Sequence, residues 1–157
     1  GYEIVLCGGP AEVEDAKVFE KFYKGDFINL VGKISLVEFL DVLSGASLLV
    51  SNESSAVHLA IALCPEKLVF VISNGYGFGI HTPYPREIAK NYFPIYHPEI
   101  ERKLDDDKFL HKTYGINSKL NVDDITVERV INKIDSVLNE MNSSISGAEN
   151  GNKRGFN

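Results

Sequence analysis

Short apolar runs and amphipathic stretches alternate along the chain, with small polar turns between them. Tyr2-Glu3-Ile4-Val5-Leu6-Cys7 ends at Gly8-Gly9-Pro10, a pattern that predicts a buried strand and a turn. From Ala11 to Tyr23, the residues Val13, Ala16, Val18, Phe19, Phe22 and Tyr23 mark a helical face, and Gly25 stops it. Phe27 to Val31 reads as a second strand, closed by Gly32-Lys33. Ser35 with Glu38 three residues on has the form of a capping box, opening a helix through Leu36, Phe39, Leu40 and Leu43. Leu48-Leu49-Val50 is a third strand. Ala56 to Leu63 forms a short apolar helix stopped by Pro65, and Leu68 to Ile72 is a fourth strand.

Strands that are continuously apolar, alternating with helices over short connections, predict an α/β fold: a Rossmann-like parallel sheet with helices on both faces. Beyond residue 72 the pattern loosens. Residues 73–85 are rich in Gly, Tyr and Pro and read as a long functional loop, and Phe93 to Tyr96 as one more short strand. Residues 99–121 are charged and weakly patterned. A final amphipathic helix is expected over Val122 to Met141, with Asp123 and Asp124 favourable at its start. The domain is thus expected to occupy residues 1–141, and the Ser/Gly/Asn-rich residues 142–157 to form a disordered tail.

Composition changes this picture little. A length of 157 residues with 44% hydrophobic and 24% charged positions fits one globular domain. The formal net charge of −6 argues against a nucleic-acid partner, whose backbone requires a basic surface. It leaves room for a small phosphate site built from backbone amides. Cys7 and Cys64 each lie in an apolar run and read as buried free thiols of a reducing compartment. No Cys/His spacing suggests a metal site. The chain opens at Gly1 directly on a strand-like run, which leads to the expectation that it is cut from a longer protein.

Ligands of parallel sheets bind beyond the C-terminal ends of the strands. Four segments meet that rule here: residues 8–12, 32–35, 51–55 and 73–85. In Ser51-Asn52-Glu53-Ser54-Ser55-Ala56-Val57-His58, polar residues stand between a buried strand and an apolar helix. The amides near Ser54 and Ser55 then favour an anion, and His58 lies one turn further on the same face. A diphosphate would meet amides, a hydroxyl and an imidazole together. The plainer alternative makes Ser54 a helix cap and His58 a packed core residue.

The ordered motifs resemble a known family. Ser51 to Ala60 is similar to the SND-(S/T)-G-P-x-H-L-A-A-A motif of glycosyltransferase family 9, which includes the ADP-heptose:lipopolysaccharide heptosyltransferases. Val5 to Glu12 resembles that family's "llGGpxE" strand and loop, and Asn29 to Leu36 its "nlaGktsL" turn. Ser44 to Val50 resembles the segment "aliagadlvvs", so the likeness spans roughly residues 3–72. Gly77-Phe78-Gly79 and Pro83-Tyr84-Pro85 resemble an "HFGRFxPYP" loop of one branch.

The resemblance implies the C-terminal, donor-binding half of a two-domain (GT-B type) glycosyltransferase. It implies a nucleotide-sugar donor, such as ADP-heptose, as substrate, and no cofactor or metal. Glu12 would accept hydrogen bonds from the ribose hydroxyls, and the backbone from Leu30 to Gly32 would flank the base. Glu53, Ser54, Ser55 and His58 would surround the diphosphate and sugar. The glycan or glycolipid acceptor and the general base would belong to an N-terminal domain outside this chain, so the fragment alone is expected to be inactive. The parent would work in the cytoplasm, at the inner face of the membrane. The cut sheet edge leads to an expectation of self-association.

Two features depart from the family pattern. Glu53-Ser54-Ser55-Ala56 stands where Asp-Ser/Thr-Gly-Pro is usual, placing a longer carboxylate and a Cβ where phosphates would approach. The family's first strand of this domain, with its donor-contacting Lys, has no counterpart before Gly1. Glu12 also has the alternative of a first-turn dipole residue, and Lys33 that of a solvated charge. A dinucleotide oxidoreductase would need G-x-G-x-x-G where Gly8-Gly9-Pro10 stands. A serine hydrolase would need G-x-S-x-G, which does not occur. The non-enzymatic alternative is a Rossmann-like binding or scaffold domain.

Overall fold

The structure is a computed structural model that describes the backbone of residues 1–151 and the side-chain environments of residues 1–143. The chain divides into two compact units, Gly1–Ala46 and a second beginning at Ser47.

In the first unit, β1 (Ile4–Leu6) and β2 (Phe27–Asn29) pair in parallel, Val5 opposite Ile28. They are joined through a 3-10 turn at Pro10–Glu12 and helix α1 (Val13–Phe22), which together form one β-α-β unit. The apolar face expected for α1 is narrower than its sequence suggests. Ala16 is buried, and Phe19 and Tyr23 form an aromatic cluster with Phe27, with ring centroids 5.2–5.8 Å apart. Val18 and Phe22 fall off that face and are exposed. α2 (Leu36–Gly45) starts at the expected capping box: Ser35 Oγ accepts from the Glu38 amide, and Glu38 Oε2 accepts from the Ser35 amide at 2.7 Å.

The second unit holds a three-stranded parallel sheet in the order β3 (Leu48–Asn52), β4 (Leu68–Ser73), β5 (Tyr92–Tyr96). The hydrogen-bonded strands therefore fall into two parallel sheets, with β3, β4 and β5 each one or two residues longer than the predicted segments. β4 is central, and Val69, Phe70 and Val71 are fully buried, which explains why its sequence is apolar without alternation. Pro94 lies in β5, at the edge of this sheet, where a missing amide costs no ladder bond. Phe70 and Ile95 on one face pack with Ile125 and Val137, joined by Val130 and Ile134. α3 (Ser55–Leu63) lies against β3 and β4 and buries Val57, Ala60 and Ile61.

The weakly patterned stretch contains two short helices, α4 (Pro98–Glu101) and α5 (Asp107–Tyr114). Ile100 and Leu110 from them form a second core with Phe78 and Tyr96. α6 (Val127–Gly151) begins later than expected. Asp123 and Asp124 belong instead to a separate 3-10 turn, and Thr126 Oγ1 accepts from the Arg129 amide at the helix start. The same helix continues ten residues past Met141, into the segment expected to be a disordered tail. Extending an existing helix adds one hydrogen bond per residue, which Ser and Asn offset only weakly. Residues 152–157 lie outside the described residues. Among the described residues, no helix is long and apolar enough to cross a membrane.

Candidate functional site

In the first unit the candidate residues gather where β1 and β2 end. Leu30 N donates to Leu6 O and Gly32 N to Gly8 O, both at 2.9 Å, so the two loops leave the strands bonded to each other. Gly32 has φ +68, and a Cβ there would lie 2.9 Å from Val13 Cγ2. Glycine is thus required twice over, by backbone angle and by space. Glu12 closes the 3-10 turn, its amide donating to Gly9 O at 3.1 Å. Its carboxylate folds back over the two glycines: a Cβ on Gly9 would meet Glu12 Oε2 at 3.1 Å. Glu12 is exposed, so its carboxylate oxygens stand over a glycine floor. Cys7, at the end of the same run, is half-buried rather than buried, and burial raises its thiol pKa.

In the second unit the turn after β3 carries Glu53, Ser54 and Ser55. Ser54 is the N-cap of α3 by its extended backbone, but its side chain caps nothing. Its hydroxyl lies 3.0 Å from that of Ser51 instead. Val57 N donates to Ser54 O, and among the described residues no side chain accepts from the amides of Ser55 or Ala56. Those two amides stay available for an external anion, with the helix dipole behind them. His58 follows one turn on, half-buried, and its Nδ1 lies 2.6 Å from the Tyr84 hydroxyl.

Glu53 points to a different set of partners. Thr82 Oγ1 donates to its Oε1 across 2.5 Å, and Thr82 is itself buried. Burial raises the Glu53 pKa, opposed in part by the Thr82 and Ser73 hydroxyls and by nearby His81. Behind it stand two buried phenols, Tyr92 and Tyr96, both pushed far above the ordinary tyrosine range by burial, with the Glu53 charge adding to the effect. Their hydroxyls lie near each other, and neither makes a hydrogen bond of good geometry.

Thr82 and Tyr84 come from the loop between β4 and β5. Phe78 anchors this loop in the second core, and its carbonyl lies 3.0 Å from His111 Nδ1. Gly79 has φ +74, and a Cβ there would lie 2.8 Å from that same ring nitrogen. A separate open groove of about 470 Å³ runs beside α6, bordered by Pro94, Ile95, Arg129 and Lys133 and by none of the candidate residues. Arg129 is paired there with Glu101.

Residues 1–68 match the family model described as glycosyltransferase family 9 (heptosyltransferase). That segment, less than half of the chain, is similar to glycosyltransferase family 9. The matched segment holds every candidate residue, from Glu12 and Gly32 to Glu53, Ser54, Ser55 and His58. A crystal structure of a glycosyl transferase family 9 protein from Veillonella parvula DSM 2008 is similar in fold, with a TM-score of 0.62 and 22% identity. The likeness covers 89% of this chain and 37% of that one, so the chain spans little more than a third of its neighbour's length. No curated protein matches the chain.

Sequence reasoning missed Thr82, Ser73, Tyr92 and Tyr96. They lie 20 or more residues beyond Glu53, and only the parallel register of β3, β4 and β5 brings them near it. Tyr84 was signalled only by the Pro83-Tyr84-Pro85 likeness. Glu53, longer by one methylene than the Asp of the family pattern, is the carboxylate that Thr82 meets.

Proposed function

We propose that this chain is the donor-binding part of a glycosyltransferase that moves a heptose or another sugar from a nucleoside diphosphate to a lipopolysaccharide or other surface glycan. The observation that carries the reading is the start of α3, where Ser54 leaves the first amides uncapped and His58 stands one turn away. Free amides and an imidazole suit a diphosphate, first as part of the donor and then as the departing group whose negative charge grows. Glu12, exposed above Gly8 and Gly9, suits a ribose diol, since a carboxylate can accept from two hydroxyls. Gly32 admits the close approach of a base to the backbone. The match of residues 1–68 to the family 9 model supports the transferase chemistry.

In this reading the acceptor site and the general base come from a further domain, and the reaction takes place in the cytoplasm at the membrane's inner face. No cofactor or metal is assigned a role. A calorimetric comparison of nucleoside mono- and diphosphates tests the reading on the full chain. The diphosphate should bind several-fold tighter, and equal affinity for the two would count against a diphosphate site.

A further inference from the structure

Among the described residues, one ring nitrogen of His58 is engaged and the other has no hydrogen-bond partner, and the engaged partner is a phenol. Tyr84 Oη lies 2.6 Å from His58 Nδ1, with the ring centroids 5.9 Å apart. Tyr84 is held from several sides. Its ring meets that of buried Tyr92 at 5.6 Å and 64°, prolines flank it on both sides, and neighbouring Thr82 is tied to Glu53. His58 is equally fixed, because α3 buries Val57, Ala60 and Ile61 around it. The contact therefore joins two anchored groups.

We propose that Tyr84 is a positioning residue that holds His58 in the tautomer with its proton on Nε2. This inference rests on the donor-site reading and adds the residue that sets the polarity of the imidazole. A phenol is the better donor and a neutral imidazole nitrogen the better acceptor, so the Tyr84 proton points at Nδ1. The single ring proton of neutral His58 then lies on Nε2, since the bond made by one nitrogen fixes the state of the other. An Nε2–H group donates to a phosphate oxygen. The opposite tautomer would set a lone pair against the anion, so the loop after β4 governs whether the turn after β3 attracts a diphosphate.

Long-range 1H–15N NMR of the full, 15N-labelled chain at about pH 9, where ordinary imidazoles are neutral, reads the tautomer directly. The chain has four histidines, and the His58 signals are those lost in His58→Ala. The wild type should show a pyrrole-type Nε2 and a pyridine-type Nδ1 at His58, before any ligand is added. A protonated Nδ1 overturns the proposal. Titration with ADP supplies the second readout. Tyr84→Phe should weaken binding about three- to ten-fold, the range of one lost hydrogen bond, and have no further effect in a His58→Ala background. Equal losses in both backgrounds would mean that Tyr84 does not act through His58. If wild type binds no ADP, the donor-site reading fails, and the tautomer still decides whether Tyr84 holds the ring.

Discussion

Thr82 donates its hydroxyl proton to Glu53 Oε1 across 2.5 Å, tying the loop after β4 to the turn after β3. The bond spans 29 residues of sequence and holds a half-buried carboxylate among hydroxyls rather than cations. The Thr82 and Ser73 hydroxyls and nearby His81 favour the charge, while burial opposes it more strongly.

The raised pKa of Glu53 means that the folded state binds this proton more tightly than the unfolded chain. The group's contribution to stability is full below the ordinary value near 4.5 and is lost as pH rises through the raised one. Glu53→Gln stays neutral and can still accept from Thr82. Thermal melts should show the variant gaining on the wild type at pH 8, with the gap closing toward pH 4. A gap that widens at low pH would contradict the assignment.

Gly32→Ala combines a left-handed backbone angle with a Cβ 2.9 Å from Val13 Cγ2. Urea unfolding should show a loss of about 1–3 kcal/mol. An unchanged midpoint would mean that the β2 turn is free to relax, and that the glycine is not needed.

Tyr96→Phe removes a buried hydroxyl that makes no hydrogen bond of good geometry. Leaving such a group dry costs free energy, so its removal should be neutral or stabilise the chain by up to about 1 kcal/mol. A loss above 1 kcal/mol in urea unfolding would show that the hydroxyl has a partner.

The parts of the fold that were legible are those fixed by local patterning. Leu68 to Ile72 announced a strand because both its faces are covered, and Ser35 with Glu38 announced the start of α2 because a capping box is complete within four residues. The start of α6 was misplaced because Asp123 and Asp124 serve a 3-10 turn as readily as a helix, and only the Thr126 cap separates them. At the site, Ser54 and His58 were legible from helix spacing. Thr82 and Tyr84 were not, because a Gly- and Pro-rich loop has no periodicity from which to read where its side chains return.

The central claim is that Glu12 takes a ribose and that the turn from Ser54 to His58 takes a diphosphate. Titration of the full chain with ADP, as wild type, His58→Ala and Glu12→Ala, tests it most directly. The wild type should bind with a dissociation constant on the order of 1 mM. Both substitutions should weaken that binding several-fold, His58→Ala through the phosphates and Glu12→Ala through the ribose. Adenosine should lose affinity with Glu12→Ala and be indifferent to His58→Ala. Variants that both bind ADP like the wild type would contradict the donor-site assignment and leave only the fold standing.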